Sequence, residues 1–204
     1  QGYKNVAVGS SALTNLNSST VGDSIDNVAI GYEAMKQATT AYRNVAVGYR
    51  ALELNQTQNN ICAVGWYSLR ESVSGGGNTG LGHYTATRTT SGANNTAVGH
   101  AALQYNTTGN SNTALGYRAL DANTTAGNNT AVGYQALFAN TTGSDNVAVG
   151  SGALDANTTG TYLVAVGKGA LTNATTANNN VAIGRVAMEA ATTAYNNVAV
   201  GTRA

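Results

Sequence analysis

The sequence predicts an all-β fold: a parallel β-solenoid of twelve coils, each about 17 residues long. Three observations predict it. One pentapeptide, Asn-(Val/Thr)-Ala-(Val/Ile/Leu)-Gly, recurs along the whole chain and ends at Gly9, Gly31, Gly48, Gly65, Gly82, Gly99, Gly116, Gly133, Gly150, Gly167, Gly184 and Gly201. The first of these spacings is 22 residues and the other ten are all 17. Composition agrees: of 204 residues only 9% are charged and 6% aromatic, Pro is absent, and Leu, Ile, Phe and Met are too few for a thick layered core. A hydrophobic fraction of 42% still permits burial.

The full unit reads N-[VT]-A-[VIL]-G-x-x-A-L-x-x-N-T-T-x-x-x, and residues 129–145, NTAVGYQALFANTTGSD, are a clean copy. Seventeen residues are too few for paired helices and suit one coil. Val, Ile and Thr favour the strand. Gly, Asn and paired Thr at fixed offsets supply the turns. The Ala-Leu segments are too short to stand as helices. The glycine closing the strand is unbroken, which calls for a positive φ or for a close approach that a Cβ blocks. The Asn opening it is kept in ten copies, with Ile61 and Leu163 in the other two, and stacked amides form hydrogen-bonded ladders along such an axis. The long first spacing predicts a protruding loop between Leu13 and Asn27. Twelve coils at ~4.8 Å each predict a rod roughly 55–60 Å long.

Strand side chains alternate between two faces. The expected interior combines the first and third strand positions with the Leu four residues after each Gly, a column running from Leu13 to Met188 and broken only by Ala86. Cys62, at a first strand position, is then a small buried hydrophobe. The middle Ala occupies eleven of twelve copies, Gly80 being the exception. Such uniformity predicts that Ala97, Ala114, Ala131, Ala148, Ala165 and Ala182 pack against neighbouring chains around a common axis, in a parallel homotrimer.

The segments DNVAIGYEAM (26–35) and NNVAIGRVAM (179–188) resemble the head repeats of YadA-type trimeric autotransporter adhesins, whose motif is similar to N-S-V-A-I-G-x-x-S. NTAVGYQAL (129–137) is also similar to repeats in bacteriophage tail fibres. The resemblance runs over essentially the whole chain. It implies a left-handed parallel β-helix, or β-roll, in each chain, three chains side by side, and a surface-binding or spacer role.

The residue after each Gly forms an outer column of rings: Tyr32, Tyr49, Trp66, His83, His100, Tyr117 and Tyr134. It reads first as a ladder that stabilises the solenoid, and second as a stacking strip for surface glycan or matrix. His83 and His100 are the only histidines. No Cys or carboxylate column accompanies them, so no metal site is expected. Nine sequons, at Asn17, Asn55, Asn94, Asn106, Asn123, Asn128, Asn140, Asn157 and Asn173, are candidate glycosylation positions. Four of them, Asn106, Asn123, Asn140 and Asn157, recur once per coil, and there N-T-T reads as the turn itself. Adjacent threonines such as Thr107 and Thr108 point opposite ways in a strand, unlike a flat ice-binding T-x-T face. Lys36, Glu53 and Arg70 align as alternating charges, a solvated ladder.

Asp121 and Asp155 share a column but are separated by Phe138, and no triad, phosphate loop or dinucleotide fingerprint occurs. The chain reads as a non-enzyme without cofactors. A net charge of +1 gives no footprint for nucleic acid or an anionic membrane. No apolar run is long enough to span a bilayer. Both ends are cut within a repeat, so residues 1–204 read as one solenoid segment, open at each end, that continues or stacks end to end. The expected role is structural: a shaft or head segment of an extracellular, cell-surface or virion fibre. An adhesin or receptor-binding segment using the ring column is the alternative.

Overall fold

The structure, a computed structural model, describes residues 4–16 and 25–204. It is a parallel β-solenoid with no helix among the described residues. Each coil contributes one three-residue strand: β1 (Val6–Val8), β2 (Val28–Ile30), β3 (Val45–Val47), β4 (Cys62–Val64), β5 (Thr79–Leu81), β6 (Thr96–Val98), β7 (Thr113–Leu115), β8 (Thr130–Val132), β9 (Val147–Val149), β10 (Val164–Val166), β11 (Val181–Ile183) and β12 (Val198–Val200). The strands form one sheet in sequence order, every neighbouring pair parallel. Register is unshifted throughout, so like stacks on like: Ala114 on Ala131, and Ala131 on Ala148. The long first interval does not disturb it, since Val6 still pairs with Val28. The loop expected between Leu13 and Asn27 includes residues 17–24, which lie outside the described residues.

The two strand faces are the reverse of the sequence expectation. The middle Ala points into the coil: Ala97, Ala131, Ala148, Ala165 and Ala182 are 0% exposed and Ala114 1%. They are covered by their own chain and are not an inter-chain seam. The first and third positions point outward, with Val8 56%, Leu115 46% and Ile183 41% exposed. Cys62 lies on this outer face, half-buried, rather than in the core.

The reason is the thinness of the coil. The Leu column projects across the interior and ends against the strand, leaving room there for a methyl group only. Gly80 measures the gap, because a Cβ added there meets Leu69 Cδ1 and Cγ at 3.1 Å. A regular coil therefore buries Asn129, Ala131, Ala136, Leu137 and Asn140. One large apolar side chain, two methyls and two amides replace the three large aliphatics expected.

The amides form two ladders, the pre-strand one broken at Ile61 and Leu163 and the other running unbroken from Asn106 to Asn157. In the pre-strand column the backbone N–H of Asn129 donates to Asn112 Oδ1 at 3.1 Å, and Asn129 Nδ2 donates to the Gly143 carbonyl at 2.9 Å. In the other column Nδ2 of Asn123, Asn140 and Asn157 donates to Oδ1 of the Asn one coil earlier, at 2.8, 3.1 and 2.8 Å. Each also donates to the carbonyl three residues on, at Ala126, Gly143 and Gly160. Fully paired polar groups of this kind are cooperative in a dry interior, whereas unpaired ones are costly.

The turns use left-handed backbone at ordinary residues. In the coil of Gly133, Gln135 and Leu137 have φ of 52° and 51°. Turns close through the N–H of Ala136 to the Gly133 carbonyl and of Asn140 to the Leu137 carbonyl, at 3.4 and 3.2 Å. Left-handed backbone costs an L-residue roughly 1–2 kcal/mol. For the Leu column, burial worth about 1.5–3 kcal/mol per side chain offsets that cost.

One irregular patch explains the Gly80 exception. Two columns away, Ser68 and Thr85 stand where other coils carry Ala, and both are 0% exposed. Their hydroxyls meet at 2.9 Å, and Ser68 Oγ donates to the Gly80 carbonyl at 2.9 Å. A Cβ on Gly80 would lie 2.6 Å from Ser68 Oγ. Gly80→Ala is expected to destabilise by about 1–3 kcal/mol through overpacking. Adding Ser68→Ala, which restores the regular pair, should recover about 1 kcal/mol or more of that loss. Urea denaturation of the four proteins in the cycle measures the coupling, and strictly additive effects would contradict the packing explanation.

Candidate functional surfaces

The candidate functional features are columns on the outside of the coil. The ring column is a stack, but not a uniform one. Tyr32, Tyr49 and Trp66 stack with centroids 5.1 and 4.2 Å apart at 16° and 14°. His100, Tyr117 and Tyr134 form a second stack at 5.5 and 5.4 Å, inclined by 15° and 9°. Between them His83 stands edge-on to Trp66, at 6.1 Å and 72°. Tyr67 and Tyr84 add a short second row, 5.7 Å apart at 21°. Flat stacking turns ring faces toward neighbouring rungs and ring edges toward solvent, which is the geometry of a stabilising ladder.

Charges flank these rings. Arg50 Nε lies 2.6 Å from Glu33 Oε2, Arg70 Nε 2.7 Å from Glu53 Oε2, and Lys36 Nζ 2.7 Å from Glu33 Oε1. The alternating column thus becomes a zigzag over three coils rather than a straight Lys36–Glu53–Arg70 line. The bond from Lys36 holds the Glu33 carboxyl below its ordinary value. On a later coil Arg118 pairs with Asp121 at 2.6 Å and lies 4.5 Å from the Phe138 ring centroid. Burial pushes the Asp121 carboxyl up, with the Arg118 bond opposing it. Asp155 instead accepts a hydrogen bond from Thr172 Oγ1 at 2.7 Å, so the two acids of this column do separate jobs.

The sequons divide by burial. Asn55, Asn106, Asn123, Asn140 and Asn157 are 0% exposed. Their amides are committed to internal hydrogen bonds, which closes them to modification in the folded chain. Asn94, Asn128 and Asn173 are exposed. Asn17 lies outside the described residues. The N-T-T segment is a turn, as its spacing suggests, but its Asn is also a core residue.

The feature missed in the sequence is the outer face of the sheet. Two outward positions on each of twelve strands make two columns of side chains, 24 in all. The column of third positions, from Val8 to Val200, is aliphatic at every rung. The first-position column is Val except for Cys62, Thr79, Thr96, Thr113 and Thr130. No charged side chain interrupts either one. A solvated sheet face carries polar residues and parallel sheets are normally covered on both faces, so a continuous exposed aliphatic column of this length marks a contact surface.

Among the described residues no group of three or more His, Cys, Asp or Glu side chains is placed to hold a metal, and no helix is long and apolar enough to cross a membrane. The fold and these columns define the class: a tandem-repeat β-solenoid. No family model, curated protein or solved structure matches the chain.

Proposed function

We propose that the chain is a structural segment of an extracellular fibre, in which parallel copies associate along the two outward, uncharged columns of the sheet. The observation that carries this reading is that face: 24 outward side chains without a charge. That number lies within the roughly 20–30 residues per partner of a standard stable interface. A second copy carries the same columns at the same axial spacing, so every rung meets a matching rung when the copies lie parallel. Three copies around one axis cover all three faces and close the assembly. The role is reach, stiffness and display of a repeating surface, and the likeness to adhesin heads and tail-fibre repeats supports it.

Sedimentation equilibrium of the full chain tests the association, with three chains per particle expected. A single chain per particle at micromolar concentration overturns the reading. Cys62 reports the axial register independently, because its side chain sits on the same face. Mild oxidation should link two of three chains into a covalent dimer that is absent in Cys62→Ser. Trimers that never yield this dimer would exclude packing in register along this face.

A further inference from the structure

His83 and His100 are the first residues after Gly82 and Gly99, following the paired strands β5 and β6. Their imidazoles therefore project from adjacent rungs, and both residues are exposed. Rung spacing alone favours flat stacking here, and His100 does stack flat on Tyr117, at 5.5 Å and 15°. The two imidazoles do not stack on each other. Their centroids are 5.4 Å apart and their planes are inclined by 56°. His83 is turned by its other neighbours, standing edge-on to Trp66 and lying 4.4 Å from Tyr84 at 44°.

Close imidazoles that are not stacked face to face can share a metal ion. A metal–nitrogen bond of about 2.0–2.1 Å puts each ring centre about 3.2 Å from the ion. Near-tetrahedral angles of about 109–120° then separate the ring centres by about 5.2–5.5 Å. The observed separation falls in that range. The cation on the following coil, Arg118, is neutralised by Asp121 at 2.6 Å.

We propose that His83 and His100 form a two-imidazole clip for a borderline divalent transition-metal ion such as Ni2+, Cu2+ or Zn2+, with water filling its other positions. Two protein ligands make an exchangeable surface site rather than a closed structural one.

The test titrates the untagged full chain with NiCl2 at pH 7.5 by calorimetry. One ion per histidine pair is expected. His83→Gln and His100→Gln should each weaken binding at least ten-fold. The variants should keep the parent's circular dichroism, with at most a small fall in melting temperature from the lost ring contacts. No saturable binding, or equal affinity in parent and variants, overturns the proposal.

Discussion

Gly133→Ala is expected to destabilise the chain by about 3–5 kcal/mol, a large effect for one added methyl group. Gly133 has φ of 136°, and a Cβ built there lies 2.6 Å from the Gly150 carbonyl oxygen and 2.7 Å from its carbon. The obstacle is backbone on the next coil, fixed by the ladder, so no side chain can swing aside. Relief requires the coils to part, which breaks the hydrogen bonds between them. Gly201→Ala separates the two contributions. That residue has φ of 140°, but its added Cβ meets only the Ala204 Cβ, at 3.6 Å. It should show the backbone strain alone, roughly 1–2 kcal/mol. Urea denaturation compares them, and equal losses would show that the carbonyl contact is unimportant.

Placing Asp at Leu115 and at Val149 should abolish association while leaving the solenoid folded. Both side chains belong to the outward aliphatic column, two coils apart, and neither contributes to the coil interior. In a three-chain assembly the pair brings six carboxylates into a seam with no cation to meet them. Burying unpaired charge costs several kcal/mol per ion, so the association constant should fall at least about a thousand-fold. Sedimentation should then give the single-chain mass, with the parent's circular dichroism retained. A variant that remains trimeric would move the contact surface elsewhere. Ala131→Asp is the contrasting case, since Ala131 is 0% exposed and its replacement should unfold the chain.

The strands, their order and their register were legible because the period is constant and a single pattern repeats. The glycine column was read correctly on both counts, since it combines positive φ with carbonyl contact from the next coil. The pre-strand Asn ladder was also legible. What alternation alone does not reveal is which strand face lies inside. A uniform Ala column suits a close seam between chains equally well as the shallow space beneath a Leu column. Two signals in the sequence do settle it. Thr79, Thr96, Thr113 and Thr130 occupy the first strand position in four successive coils, which a dry interior without partners for the hydroxyls does not tolerate. Gly80 loses its methyl between the coils in which Ser68 and Thr85 gain hydroxyls, and such compensation occurs only across a shared interior. The ring column was legible as a ladder, but its interruption at His83 was not, because that depends on side-chain rotation.

Because each rung repeats the one before it, length is the one property of this molecule that its contacts do not determine. Excising residues 112–128 would join Ser111 to Asn129 and place β8 on β6 with the same alanine, amide and glycine contacts as before. Duplication of a unit is equally neutral. Such a chain works as a ruler whose graduations can be added or removed by recombination between its own repeats, with only the length of the solenoid changing. The Ser68–Gly80–Thr85 patch is an exception in the interior. A cut that separates those partners leaves a hole or a collision, so it marks one place along the ruler where the graduations are not interchangeable.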